Sequence, residues 1–169
     1  MDCLKIATFN INGLTSPTRI AMLKAFIRLH DPDILLLQEV MQQIFTDIHV
    51  YNTYYNIGTT RRGTTFITRD KLTLTNVTKI PSGRAIAANF RDISIVNIFA
   101  RSVTAKRQER EMFFNSELTY ILRNVSDNLL LGCDFNCVLE KTDSRGQCNF
   151  SRSLVDLVQG YALKRHIAS

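Results

Sequence analysis

The chain has 169 residues, 45% of them hydrophobic and 21% charged, which is enough for one α/β-sized core and too apolar for a disordered chain. Its net charge of +6 suits a polyanionic partner, although many basic proteins bind none. No apolar run reaches the roughly 18 residues of a membrane span, and the opening MDCLKIATFN lacks the apolar stretch of a secretory signal. No membrane partner is expected, and an intracellular chain with reduced thiols is, since Cys3, Cys133, Cys137 and Cys148 form no C-x-x-C pair.

Strand and helix alternate along the chain. Leu4 to Asn10 reads as a first strand. Ser16 is placed to cap a helix with Pro17 at its first position, and Ile20, Leu23, Phe26 and Ile27 give that helix one apolar face. Asp31-Pro32 stops it. Ile34 to Gln38 is a continuous apolar strand of the kind buried on both faces. A short helix is predicted over Gln42 to Ile48. From Tyr51 to Phe99 the helical period is absent. Thr64–Thr68, Leu72–Thr78, Ala85–Phe90 and Ile93–Phe99 read as antiparallel strands between turn signals. Helix returns over Lys106 to Asn124, with Phe113, Phe114, Leu118, Ile121 and Leu122 on one side. Asn128 to Leu131 is another buried strand, and Leu154, Leu157, Val158 and Tyr161 mark a last helix. The pattern predicts one α/β domain with a mixed sheet core.

Three polar groups stand at strand ends: Asn10 and Asn12, then Gln38 and Glu39, then Asp134 and Asn136. Ligand sites in open α/β sheets collect beyond the carboxyl ends of strands. An acid there is costly unless solvated, paired or bound to a cation. Glu39 with a nearby asparagine offers oxygen ligands only, which suits Mg²⁺ rather than zinc. Each group also has a plainer reading: a cap or ion pair for Glu39, a turn for Asn10, a cap for Asp134 and Asn136. Taken together, the three groups favour a metal-assisted phosphodiester site.

The stretches FNINGL, LLLQEV, RRGTTFITR, SGRAIA, VNIFA, AKRQEREMFF and GCDFNCVLEKTDS stand in this order. On them the chain resembles the endonuclease/exonuclease/phosphatase family, and more closely the apurinic-type endonuclease domain of LINE-type non-LTR retrotransposons. The resemblance implies a four-layer sandwich, two packed mixed β-sheets flanked by helices, and cleavage of a DNA phosphodiester with Mg²⁺ or Mn²⁺. It implies that Glu39 binds the metal, helped by Asn10. Asp134 would orient or activate the attacking water, and Asn136 would hold the scissile phosphate. Arg101, Lys106, Arg107 and Arg110 are candidate contacts to DNA phosphates. Such a domain would belong to a larger reverse-transcriptase polyprotein and act in the nucleus.

The chain departs from the family pattern in places. Phe99 stands where the family commonly has tyrosine, Arg101 where it has proline, and Cys133 where it has a second glycine. If that glycine position needs positive φ, Cys133 costs about 1 kcal/mol or more. The family's last third, with its Ser-Asp-His, has no counterpart before Ser169, so residues 1–169 read as a single domain incomplete at its C-terminus. Edge strands and apolar surface are then expected to be exposed. His30, His49 and His166 read as surface or capping residues. With these departures the chain reads as an endonuclease weakened or inactive as it stands, and two alternatives stay open. One is a non-catalytic nucleic-acid-binding remnant; the other is a phosphodiesterase of the same fold acting on lipid or sugar phosphates.

Overall fold

A computed structural model describes residues 3–41, 51–59, 62–100, 107–139 and 150–163. The helix expected over 42–48, Arg61, Arg101, Lys106, His49 and His166 lie outside them. The backbone divides into two compact units, Met1–Phe99 with Val125–Asp134, and Ala100–Asn124 with Phe135–Ser169.

The first unit holds two mixed four-stranded sheets. In one, β1 (Ile6–Asn10), β2 (Ile34–Val40), β3 (Tyr51–Ile57) and β4 (Gly63–Arg69) lie in the order β1-β2-β4-β3. β1 and β2 are parallel, as a strand–helix–strand crossover requires; the other pairs are antiparallel. In the second, β5 (Thr75–Lys79), β6 (Ala85–Phe90), β7 (Ile93–Phe99) and β8 (Leu129–Asp134) lie in chain order, with β7 and β8 parallel.

The crossover helix α1 (Pro17–His30) starts where the sequence predicts. Ser16 accepts from the Arg19 N–H at 3.3 Å and Pro17 holds the first turn. It ends on Asp31 in the left-handed region, whose N–H donates to the Ile27 carbonyl at 2.8 Å. Leu23 and Ile27 of α1 pack with Leu35, Leu37 and Val40 of β2 and Ile67 of β4. The opposite face of β2 carries Ile34 and Leu36, which meet Phe66, Ile86, Ala88, Phe90 and Ile95 between the two sheets. Every residue of β2 is therefore buried, which explains its unbroken apolar run. Burying each such aliphatic side chain contributes about 1.5–3 kcal/mol.

The second unit carries α2 (Arg107–Phe113), a π-helical turn over Phe114–Leu118, α3 (Thr119–Leu122) and α4 (Arg152–Gly160). The first three run on continuously, as the apolar spacing predicts. The π turn was not legible; there the Thr119 hydroxyl donates to the Phe114 carbonyl at 2.8 Å. Ser151 caps α4 by accepting from the Leu154 N–H at 3.2 Å, and the Glu111 carboxylate takes the Ser153 N–H at 3.3 Å.

Several boundaries differ from expectation. β5 begins at Thr75 rather than Leu72, and β8 runs on to Asp134. β3, with its sequence YNTYYNI, has no clear apolar alternation, because it is an edge strand of mixed burial. The sheet edges are β1, β3, β5 and β8. The exposed large apolar side chains among the described residues are Met22, Leu29, Met112, Tyr120 and Leu130.

The expected strain at Cys133 does not arise. Cys133 lies in β8, paired in register with Ile98, and is not among the residues with positive φ. The glycine that the packing needs is the preceding one. A Cβ on Gly132 would stand 2.3 Å from Leu36 Cδ2 and 3.3 Å from Leu36 Cβ and Cγ, so β8 approaches β2 as only glycine allows. Replacing Gly132 by alanine is expected to destabilise the fold by about 1–3 kcal/mol. Urea denaturation would show it as a lower midpoint at unchanged slope; an unaltered midpoint would refute the close approach.

Candidate active site

The loop after β1 is shaped by its own amides. Asn12 and Gly13 both take positive φ, 48° and 87°, giving the turn that an Asn-Gly pair favours. The Ile11 N–H donates to the Gln38 carbonyl at 3.1 Å and the Gly13 N–H to the Glu39 carbonyl at 2.8 Å. The loop is thus bound to the end of β2. The Arg19 guanidinium, one turn into α1, donates to the carbonyls of Asn12 and Gly13.

This loop holds Asn10 as a junction of three segments. Its Oδ1 accepts from the Asn12 N–H at 2.9 Å. Its Nδ2 donates to Glu39 Oε1 at 3.2 Å and to Asp134 Oδ2 at 2.5 Å. One amide nitrogen has two N–H groups, and here each serves one carboxylate. The ends of β1, β2 and β8 therefore meet, and the structure brings together Asn10, Glu39 and Asp134.

Glu39 owes its position to a β-bulge. The pairing of β2 with β4 shifts register between Gln38 and Val40, and Glu39 itself has φ 58°. Along β2, even-numbered residues face the other sheet and odd-numbered ones face α1. After the bulge Val40 takes the α1 side, so Glu39 is the inserted residue. A glutamate in the left-handed region is uncommon and costs about 1 kcal/mol or more. Only 8% of Glu39 is exposed, and its second oxygen, Oε2, accepts from Arg62 Nη1 at 2.7 Å.

Beneath the site lies a buried amide pair. Gln38 Nε2 donates to Thr8 Oγ1 at 2.9 Å and to Asn97 Oδ1 at 2.8 Å. Asn97 Nδ2 donates to the carbonyls of Leu37 and Thr65 at 2.9 and 3.0 Å. Phe99, opposite Asp134 in the β7–β8 register, is 4% exposed, so where the family commonly has a tyrosine this site has a buried ring.

The remaining predicted residues fall differently. Asn136 belongs to the second unit, has φ 50°, and donates through Nδ2 to the Ala100 carbonyl at 2.7 Å. Arg107 is exposed at the start of α2. Arg110 is a correction: it has no exposed surface, so its guanidinium does not reach an external phosphate. His30 closes α1 as an exposed residue against Phe26, with ring centroids 4.5 Å apart.

The donor set suits a hard divalent cation. Glu39 and Asp134 offer oxygen only, while the Asn10 oxygen is taken up by the Asn12 N–H, and Mg²⁺ is commonly held by one or two carboxylates with waters filling the rest. A cationic group, the Arg62 guanidinium, already stands against Glu39. No group of three or more His, Cys, Asp or Glu side chains placed to hold a metal ion occurs among the described residues.

Residues 7–166 match the endonuclease/exonuclease/phosphatase family, and the chain belongs to that family of phosphodiester-cleaving hydrolases, whose nucleases generally use divalent ions. An AP endonuclease from Archaeoglobus fulgidus is 19% identical, with a TM-score of 0.71 over 95% of this chain and 70% of that one. The 3′-5′ exonuclease NExo from Neisseria meningitidis is 20% identical, with a TM-score of 0.73 over 94% of this chain and 70% of its own. NExo from Neisseria, as a 3′ phosphatase bound to a product DNA hairpin, is 21% identical, with a TM-score of 0.68 over 83% and 61%. At these identities the likeness shows the shared α/β sandwich fold. No curated protein matches the chain.

Sequence reasoning gave no role to Gln38, Asn97 or Arg62. For the two amides a signal existed, since each interrupts an apolar strand. For Arg62 there was none, because its meeting with Glu39 follows from the β2–β4 register.

The strain at Glu39 is testable. Glu39→Gly and Glu39→Ala both remove the carboxylate, but only glycine takes φ 58° freely. The glycine variant is expected to be the more stable of the two by about 1 kcal/mol. Equal unfolding midpoints would mean that residue 39 relaxes out of the left-handed region.

Proposed function

We propose that the chain is a divalent-metal-dependent DNA endonuclease domain of the kind carried by LINE-type non-LTR retrotransposons. The observation that carries the catalytic reading is Asn10, whose single amide group spans the Glu39 and Asp134 carboxylates at the ends of three strands. The retrotransposon reading draws on the resemblance in FNINGL, LLLQEV and AKRQEREMFF.

In this reading Glu39 holds the ion, and Asn10, whose oxygen accepts from the Asn12 N–H, steadies that carboxylate through its own N–H. When bound, it would polarise a phosphoryl oxygen and lower the pKa of a water. Asp134 is the general base. Its carboxylate takes a proton from the attacking water as the new O–P bond forms and the ester P–O bond breaks. Asn10 fixes the orientation of that carboxylate through its N–H. By the resemblance, Asn136 is the residue assigned a neutral amide donor for the phosphoryl charge; its Nδ2 here donates to the Ala100 carbonyl. Phe99 offers no hydroxyl, so one donor commonly present in the family is absent from the transition state.

Supercoiled-plasmid nicking tests the proposal. Nicking is expected with Mg²⁺ and not with EDTA. Loss of Asp134 or Glu39 to alanine is expected to lower the rate on the order of 10²-fold or more. DNA binding with no nicking above the Glu39→Ala background would leave only the non-catalytic alternative.

The basic residues give a second test. Arg107 and Lys106 are proposed to contact phosphates ahead of and within α2. Affinity for duplex DNA is then expected to fall with salt by about 0.9 log unit per contact and decade. Changing both to alanine is expected to flatten the slope by roughly two such steps. An unchanged slope in filter binding would place the DNA on another face.

A further inference from the structure

Resting on the metal-dependent reading above, we propose that Arg62 is a built-in counter-ion for Glu39, which a divalent cation must displace in order to bind. The Glu39 carboxylate is nearly enclosed, with a side chain 11% exposed, and a charge so placed needs a partner. Asn10 satisfies Oε1 with a neutral N–H at 3.2 Å. Arg62 satisfies Oε2 with a charged one at 2.7 Å. Oε2 is thus the oxygen on which a bound cation and the guanidinium meet as rivals.

The local backbone keeps Arg62 at this post. Its carbonyl accepts from the Gly58 N–H at 3.2 Å. The next residue, Gly63, pairs with Val40 just past the bulge and with Ile57 of β3. A Cβ at Gly63 would stand 2.1 Å from the Asn56 carbonyl oxygen, so glycine is required and the strand cannot shift. The arginine side chain is different: it is 45% exposed, so its head can leave the carboxylate for water at small cost. The acid is fixed and the cation is on a long tether.

The rivalry is electrostatic as well as steric. A dication on Glu39 would face a guanidinium at contact distance, and like charges repel. Removing the guanidinium removes both the occupant and the repulsion. The pair is partly exposed, so the gain in metal affinity is moderate, about three- to tenfold.

The test uses Mn²⁺ binding and thermal stability of the 169-residue chain, read by titration calorimetry and by melting in EDTA. Four proteins are compared: wild type, Arg62→Gln, Arg62→Ala and Glu39→Gln. The two Arg62 variants are expected to bind Mn²⁺ about three- to tenfold more tightly than wild type. In EDTA both are expected to melt below wild type, since Glu39 loses its cation, and to gain more on adding Mn²⁺. Equal or weaker Mn²⁺ binding by both Arg62 variants, with binding lost in Glu39→Gln, would overturn the counter-ion role and leave the metal reading standing. Mn²⁺ binding absent from all four, or unchanged in Glu39→Gln, would overturn both.

Discussion

The contact between Gln38 and Asn97 is the constraint on which the site depends. Asn97 enters from one sheet and spends its whole side chain on the other, giving two N–H groups to carbonyls of β2 and β4 and taking one from Gln38. Each such bond contributes about 1 kcal/mol net, while an orphaned amide in this interior would cost more. Apolar side chains alone would let the sheets slide, because hydrophobic contact has no direction. The amide pair admits one register, and that register lets the ends of β1, β2 and β8 converge.

The bulge follows from the same arrangement. Gln38 must face the other sheet to meet Asn97, and Val40 must face α1 to complete its core. Regular alternation would put residue 40 on the side of residue 38. The extra residue that reconciles them is Glu39, left with positive φ and a carboxylate at the strand end. The cost of strain is set against a position that no regular strand residue could occupy. Strain at a site whose surroundings over-determine the backbone is a common companion of function.

Much of this was readable in the residues, for identifiable reasons. Ser16-Pro17 and Asp31-Pro32 fixed both ends of α1 because caps and prolines act locally. The unbroken Ile34–Gln38 run announced a strand covered on both faces, and so a layered core. The acids and amides at strand ends each had a plainer reading as a cap, a turn or an ion pair, and only their recurrence at three strand ends pointed to one place, where Asn10, Glu39 and Asp134 lie together. What stayed hidden is relational. The β2–β4 register that brings Arg62 to Glu39, the pairing of Gln38 with Asn97 and the burial of Arg110 each depend on partners far away in sequence. The charge of Arg110 made it look like a surface residue, and charge carries no information about depth. Cys133 misled in the opposite sense: its neighbour Gly132 bears the close approach to Leu36, and Cys133 itself pairs with Ile98 without positive φ.

The choice of an amide at position 10 completes the electrostatic argument. Two carboxylates that share one partner repel each other, and a third acid there would have added to that repulsion and removed the N–H that each takes from Asn10. A lysine would have satisfied both acids permanently and closed the site to any other cation. An asparagine gives one N–H to each carboxylate, anchors its own oxygen on the Asn12 N–H and adds no charge. The pair of acids therefore keeps a negative potential, which Arg62 offsets at Glu39 from a tether half in solvent. A site built this way is stable when alone and remains open to a stronger cation.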